Sequence, residues 1–305
     1  MELSIIIPTK DRGEVFDMTI NAAWESISGT NSEIIIINDS RTSTINLPFT
    51  SSQVKVFDNP KSGVASARNY GVNKATHPII LFLDDDIIIN KQNLEKAYTF
   101  IISNPNSTLN PNWIYPETLT KEISKTKFGR YLIHYGFTSL KGWNQGMNWN
   151  DHETFKCELL ASYFVMMRQS DFSNVNGYNE DFPHAGAEDY DFAVRIKNNG
   201  IKTYIDPTNL VYHNESDRVE LIPWLERKLR AAQTRKLAVS LGHEKLAIQS
   251  GRLKKKLFLW LYPIRNLFLI SFKVIPNIIM LDRISFFIIN RLVSIYLYKG
   301  YFSEK

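Results

Sequence analysis

Three consecutive carboxylates, Asp84-Asp85-Asp86, follow the apolar run Ile79–Leu83. At the end of a buried strand they repel one another, and without a cation some are driven toward protonation. A hard divalent ion such as Mg2+ or Mn2+ resolves that conflict. It prefers oxygen ligands and keeps positions open for phosphate oxygens. An acidic triplet in a loop is ordinarily a solvated turn, but this one ends an apolar strand in an alternating strand–helix setting. The other residue types with chemical potential show less pattern. His134, His152, His184 and His243 have no spacing that suggests zinc, and the single cysteine, Cys157, excludes an intramolecular disulfide.

The elements that must position the triplet are legible over the first 90 residues. Leu3–Ile7 is an apolar run stopped by Pro8. Val15–Ile27 has helical spacing, with Phe16, Ile20, Ala23, Trp24 and Ile27 on one side. Ile34–Ile37 and Val54–Phe57 read as strands, Gly63–Lys74 as a glycine-led helix, Ile79–Leu83 as a fourth strand and Lys91–Ile102 as a helix. Unbroken apolar strands alternating with helices predict an α/β fold with a parallel sheet covered on both faces. In such folds ligands bind at the carboxyl ends of the strands. Here those ends carry Pro8-Thr9, Asp39 and the triplet. Further on, the sequence predicts an Asn/Pro loop over Asn104–Asn112, a helix over Leu119–Tyr135 and a loop over Gly136–His152. It then predicts a buried strand in Glu158–Met167, a helix over Glu188–Asn198, a short strand Leu210–Tyr212 and a charged helical stretch Arg218–Leu246.

Several segments, taken in order, resemble the family 2 glycosyltransferases of the GT-A fold. Ser-Ile-Ile-Ile-Pro-Thr-Lys-Asp-Arg (4–12) is similar to the family's first strand and nucleotide loop, although the family more often has Tyr-Asn in place of Lys10-Asp11. Ile-Ile-Ile-Ile-Asn-Asp-Ser (34–40), Gly-Val-Ala-Ser-Ala-Arg-Asn-Tyr-Gly (63–71) and Phe-Leu-Asp-Asp-Asp (82–86) resemble the second strand, the nucleotide-facing helix and the Asp-x-Asp metal motif. Gly-Tyr-Asn-Glu-Asp-Phe (177–182) and Glu-Asp-Tyr-Asp-Phe (188–192) resemble the acceptor-side motifs.

The resemblance implies a Rossmann-like mixed, mainly parallel sheet and an inverting transfer that depends on Mg2+ or Mn2+. The sugar comes from a nucleotide-diphosphate donor, by family habit a UDP-sugar. Pro8, Thr9, Arg12, Asp39, Arg68, Asn69 and Asp84 are implied to bind the nucleotide sugar, with Asp39 accepting from a uracil-type base. Asp84, Asp86 and His213 are implied metal contacts, and Asp85 a bystander that orients. Asp189 matches the catalytic base, with Glu188 as its orienter and Asp191 as a second candidate that a helix turns away. Trp143 and Trp149 offer aromatic faces to an acceptor. The implied acceptor is a hydroxyl of a glycan or lipid-linked sugar in cell-surface polysaccharide assembly.

The remainder of the chain is unlike this part. Residues 253–302 hold eight basic residues and one acidic, net +7, and 32 of the 50 are apolar. The rest of the chain, with 28 basic and 30 acidic residues, is net −2, which argues against a general nucleic-acid surface. No stretch of about 18 apolar residues is free of charge, and Pro263 and Pro276 interrupt the segment. The expectation is a set of amphipathic helices on an anionic membrane surface, with packing on protein as the alternative. The domain expectation is a catalytic domain over 1–217, a helical extension over 218–252 and the basic apolar tail over 253–305. The first residues lack the basic start and apolar core of a secretory signal, so the expected location is cytoplasmic, peripheral on the inner membrane face. Competing readings are a sugar nucleotidyltransferase, which wants a glycine-rich basic loop after the first strand, and a non-catalytic membrane-associated protein of the same fold.

Overall fold

The computed structural model describes residues 1–303. The chain divides into two compact units. The first comprises residues 1–116, 139–183 and 188–215; the second comprises 117–138, 184–187 and the residues from 216 onward.

The first unit is built on one nine-stranded mixed sheet. Its strands are β1 Leu3–Thr9, β2 Glu33–Asn38, β3 Val54–Asp58, β4 Ile79–Leu83, β5 Ile87–Ile88, β6 Ser107–Ile114, β7 Phe155–Cys157, β8 Phe164–Arg168 and β9 Lys202–His213. The order is β3-β2-β1-β4-β8-β6-β9-β5, with β7 also on β9. The first four strands in sequence are mutually parallel, and β8 joins β4 antiparallel. Every residue of β1, β2 and β4 is buried, as unbroken apolar runs in a doubly covered sheet require. Ile6, Ile35, Ile37 and Phe82 pack against Ala65 and Val72 of the helix Val64–Lys74 and against Phe192 and Ile196 of the helix Glu188–Asn198. Thr9 lies opposite Asn38 in the register, and the Asp39 amide donates to the Thr9 carbonyl at 2.8 Å. β1, β2 and β4 therefore deliver their carboxyl ends to one rim.

The irregular middle departs from the sequence expectation. Asn104–Asn112 is not a loop: most of it belongs to β6, with Pro111 at a register shift against β9. The proline has no amide to donate, and the ladder accommodates it by slipping there. The strand expected in Glu158–Met167 is β8, which starts only at Phe164, and the one expected at Leu210–Tyr212 is the twelve-residue β9.

The second unit is helical. Leu119–Tyr135 is two helices, Glu117–Ile123 and Lys127–His134, and the Thr126 hydroxyl caps the second by accepting from the Gly129 amide at 2.9 Å. The long helix Leu221–Ser240 packs on Asp282–Phe302, and the helices Arg252–Leu261 and Arg265–Val274 lie between them in sequence. Pro263 and Pro276 fall at the breaks, as expected. Trp224 and Leu225 share a core with Phe128, Ile289, Leu292 and Ile295.

Candidate active site

The rim of the sheet gathers most of the charged candidate residues of the first unit. At the end of β1, Pro8 and Thr9 are buried, and the chain turns through Asp11 at φ 54°. That turn directs Arg12 inward rather than to solvent. Its side chain is 2% exposed, with Nη2 at 2.5 Å from Asp86 and Nε at 3.3 Å from Asp85. The same loop reaches the end of β2, where Lys10 Nζ is 3.6 Å from Asp39. Asp39 Oδ1 accepts from Asn59 Nδ2 at 2.7 Å and from the Gly63 amide at 2.9 Å. Gly63, at φ 120°, takes a conformation that a side chain would resist and opens the helix Val64–Lys74 beside Asp39.

Arg68, on that helix and 3% exposed, joins the metal motif to the acidic helix start. Its guanidinium lies 3.0 Å from Asp84, 3.4 Å from Glu188 and 3.6 Å from Asp189. Burial alone would lower its pKa, but Asp84, Tyr178, Asp189 and Glu188 outweigh that and hold it protonated. Its guanidinium carbon, Cζ, sits over the Tyr178 ring, 5.1 Å from the centroid. Asn69 turns elsewhere: its amide donates to the Tyr178 carbonyl and to Glu180, and its oxygen accepts from the Tyr178 amide. Asn69 thus clamps the 177–180 loop.

Asp189 is held by a residue that carried no signal in the sequence. The Ser162 hydroxyl donates to Asp189 Oδ1, and the Ser162 amide donates to Oδ2 at 3.0 Å. Both oxygens are fixed, yet the side chain remains 26% exposed. Asp191 pairs with Arg195 one turn along at 2.8 Å, and Glu188 is buried against Arg68.

Asp86 is shared. Its Oδ1 lies 3.2 Å from His213 Nε2, at the end of β9. Burial lowers the His213 pKa, but Asp86, then Glu215 and Asp84, hold it up at about 9. Donor atoms of Asp86, His213 and Glu215 lie within 4.8 Å of one another, the arrangement of a metal site. Glu215 was not singled out in the sequence; its position two residues past His213, where β9 ends, is the only hint. Tyr115 donates to it at 2.5 Å. Asp84 stands outside that triad, on Arg68, because the chain turns between Asp84 and Ile87. Burial pushes the Asp84 carboxyl up; Arg68 opposes this, while Asp86 and Asp189 add to the rise.

The residues fit a divalent ion. Six carboxylates, Asp84, Asp85, Asp86, Glu188, Asp189 and Glu215, face two arginines and one histidine. The raised His213, held up against its burial by carboxylates, registers that excess of negative charge. A carboxylate and imidazole donor set suits Mn2+ or Mg2+, and an ion there would replace the His213 proton.

Beside this network lies a cavity of about 280 Å³ lined by Trp113, Leu140, Trp143, Asn144, Leu160 and Ala161, among others. Ala161 precedes Ser162, and the Trp113 ring meets His213 edge-on at 4.8 Å. Trp143 is half exposed on its wall. Trp149 is directed elsewhere, with its indole N–H on Asp151 and its ring against Phe155.

Comparison with known proteins agrees with the fold and the motifs. The model of glycosyl transferase family 2 matches residues 4–164, and that of the N-terminal domain of galactosyltransferase matches 152–215. An uncharacterized glycosyltransferase of Rickettsia felis is 31% identical over 151 residues, covering 45% of this chain and 22% of the relative. Validoxylamine A glucosyltransferase of Streptomyces hygroscopicus subsp. limoneus is 23% identical over 229 residues, 65% of this chain and 48% of the relative. The chain thus spans less than half the length of these curated relatives. Among solved structures, a mannosyltransferase from Pyrobaculum calidifontis in complex with GDP-Man and Mn2+ superposes with a TM-score of 0.54 at 13% identity, covering 99% of this chain and 88% of that one. A fragment of S. aureus TarS gives a TM-score of 0.51 at 13% identity, covering 98% and 90%. These likenesses show the GT-A fold. With its sheet, its Asp-x-Asp strand end and a family match over residues 4–164 of 305, the chain belongs to glycosyl transferase family 2.

Proposed function

We propose that this chain transfers a sugar, with inversion, from a nucleotide-diphosphate donor to a hydroxyl of a glycan or lipid-linked acceptor in cell-surface polysaccharide assembly. The observation that carries the reading is the convergence on one rim of a triad able to hold a divalent ion, Asp86, His213 and Glu215, with Asp189, whose two oxygens Ser162 fixes. The nucleotide sugar and Mn2+ held by the Pyrobaculum mannosyltransferase support a donor and an ion of these classes.

Asp86, His213 and Glu215 would hold Mg2+ or Mn2+, which would supply positive charge against the leaving diphosphate. The chain's own residues do the rest. Asp39, at the end of β2, faces the base, by family habit a uracil. Arg12 keeps Asp85 and Asp86 in place, and Arg68 holds Asp84 and Glu188 beside the reacting carbon. Asp189 takes the proton from the acceptor hydroxyl. The oxygen forms its bond to the anomeric carbon from the face opposite the diphosphate, and the electrons of the breaking C–O bond leave with the diphosphate. The cavity walled by Trp113 and Trp143 receives the acceptor, stacking an indole on the apolar face of a sugar ring.

The test is nucleotide diphosphate release from a panel of UDP-, GDP- and dTDP-sugars, with and without Mn2+. One donor should be hydrolysed slowly, and only with the ion. Asp189→Asn should retain that donor, read as a thermal shift, while losing transfer by at least about a hundredfold. Full transfer by Asp189→Asn would remove the base assignment.

A further inference from the structure

The second unit has apolar helix faces on its outside as well as its inside. Phe258 is buried in its core, and Leu261, Tyr262, Phe268, Leu269 and Phe272 pack against that core. The opposite faces of the same two helices are also apolar. Leu253, Leu257 and Trp260 form a stripe at helical spacing and are 85%, 51% and 68% exposed. Leu267, Ile270 and Val274 form a second, at 60%, 56% and 75%. A helix in water needs one apolar face; these have two.

The outer face is also charged with one sign. Between residues 252 and 291 the exposed basic side chains are Arg252, Lys254, Lys256, Lys273, Arg283 and Arg291. The one acid in that span, Asp282, is largely buried, and Arg130 Nη2 lies 2.7 Å from its carboxylate. Between residues 252 and 291 the surface is therefore apolar with a basic fringe and no exposed carboxylate, complementary to anionic phospholipid.

The turn between the helices Arg265–Val274 and Asp282–Phe302, residues 275–281, carries the most exposed large apolar side chain of that surface, Met280. Ile278, Ile279 and Met280 stand 52%, 74% and 88% exposed. They are held there from behind. Lys127 Nζ donates to the carbonyls of Phe272 and Ile275 at 2.5 Å each, satisfying the end of the helix Arg265–Val274. Arg130 forks onto both oxygens of Asp282 at 2.7 Å and donates to Asn277 at 3.0 Å. Asn277 in turn donates to the Lys125 carbonyl at 2.7 Å. Polar groups that lipid could not satisfy are thus bonded internally.

We infer that this face docks on an anionic phospholipid surface, with Ile278-Ile279-Met280 as a wedge that Lys127 and Arg130 hold ready, and with Trp260 entering the headgroup boundary. The face lies along the membrane. No single helix among the described residues is long and apolar enough to cross one. The pair Arg252–Leu261 and Arg265–Val274 has that length and composition only together, is bent by 66°, and has its other face in the protein core. The inference stands without the transfer reaction, since a chain without transferase activity would dock equally.

The experiment is sedimentation of the full chain with vesicles of phosphatidylcholine alone or mixed equally with phosphatidylglycerol, alongside quenching of Trp260 by brominated lipid. The unmodified chain should bind the mixed vesicles, bind phosphatidylcholine at least tenfold more weakly, and show quenching that Trp260→Phe removes. Ile279→Glu with Met280→Glu should keep the melting temperature and lose at least tenfold in vesicle affinity. Unchanged binding by the double variant overturns the wedge. Binding without Trp260 quenching overturns insertion. A dimer abolished by the double variant, with no vesicle binding by the unmodified chain, replaces lipid with a second copy as the occupant.

Discussion

His213 shows how one side chain reports the charge state of the site. Burial opposes its protonation, but Asp86, Glu215 and Asp84 raise its pKa from 6.5 to about 9. Without metal, its protonated form therefore stabilises the fold. That contribution is fully present below pH 6.5 and is lost as pH rises through about 9. A shift of this size corresponds to about 3 kcal/mol. In EDTA, urea denaturation should show the chain losing stability across that window, while His213→Gln lacks that loss. Metal binding has the opposite sign, since the ion takes the place of the proton: Mn2+ affinity measured by calorimetry should rise about tenfold per pH unit below the His213 pKa. At this scale the sequence was only partly legible. The Asp-x-Asp triplet announces itself because adjacent carboxylates at the end of an apolar strand require a counter-charge. Ser162 and Glu215 did not, because a serine between strands and a glutamate after one are ordinary until the fold brings them to Asp189 and Asp86. Arg68 was legible as a residue but not in its partners, which are 16, 120 and 121 positions away in sequence.

The strands that deliver the site depend on a polar staple at their opposite ends. Glu33, which starts β2, accepts from the Ser4 hydroxyl at 2.8 Å, from the amide and hydroxyl of Thr76 at 2.7 Å each, and from Lys55 at 2.8 Å. It ties β1, β2 and β3 to the connection that follows the helix Val64–Lys74. Burial pushes its carboxyl up, but Lys55, Thr76 and Ser4 overcome that and bring it to about 2 from 4.5. The depressed value means stability that is present above pH 4.5 and lost as pH falls through about 2. Glu33→Gln should cost about 3 kcal/mol at neutral pH, with the gap to the parent chain closing in acid; denaturation midpoints across pH check it. Gly71 explains why the helix can sit so near: a Cβ there would meet Ile6 Cγ2 at 2.3 Å. Element types were legible wherever periodicity was unmixed. Ile79–Leu83 and Glu188–Asn198 have the bounds their apolar patterns indicate. β6 was not legible, because Asn104-Pro105-Asn106 and Asn110-Pro111-Asn112 carry turn chemistry that tertiary pairing overrides.

For the molecule as a whole, charge and apolar surface are distributed unevenly, and the tail serves both inside and outside. Eleven of the twenty exposed large hydrophobic side chains among the described residues lie between 253 and 287. Composition shows that excess but not its division, since inward and outward residues are equally apolar. Ile289, Leu292 and Ile295 are fully buried against Trp224 and Leu225, so the same segment supplies the core of the helical unit. Deleting residues 253–305 would therefore remove the core together with the surface, and loss of vesicle binding after that deletion would not distinguish them. Two substitutions of the same chemistry do. Ile279, 74% exposed, should accept glutamate with no measurable change in thermal unfolding. Ile289, with no exposure, would bury an unpaired carboxylate among aromatic and aliphatic neighbours, at a cost of at least about 4 kcal/mol. Ile289→Glu should lower the first unfolding transition and make the segment beyond residue 216 sensitive to protease, with Ile279→Glu indistinguishable from the parent in both assays. Equal behaviour of the two variants would mean that the tail does not pack as described, and the outward face would lose its meaning.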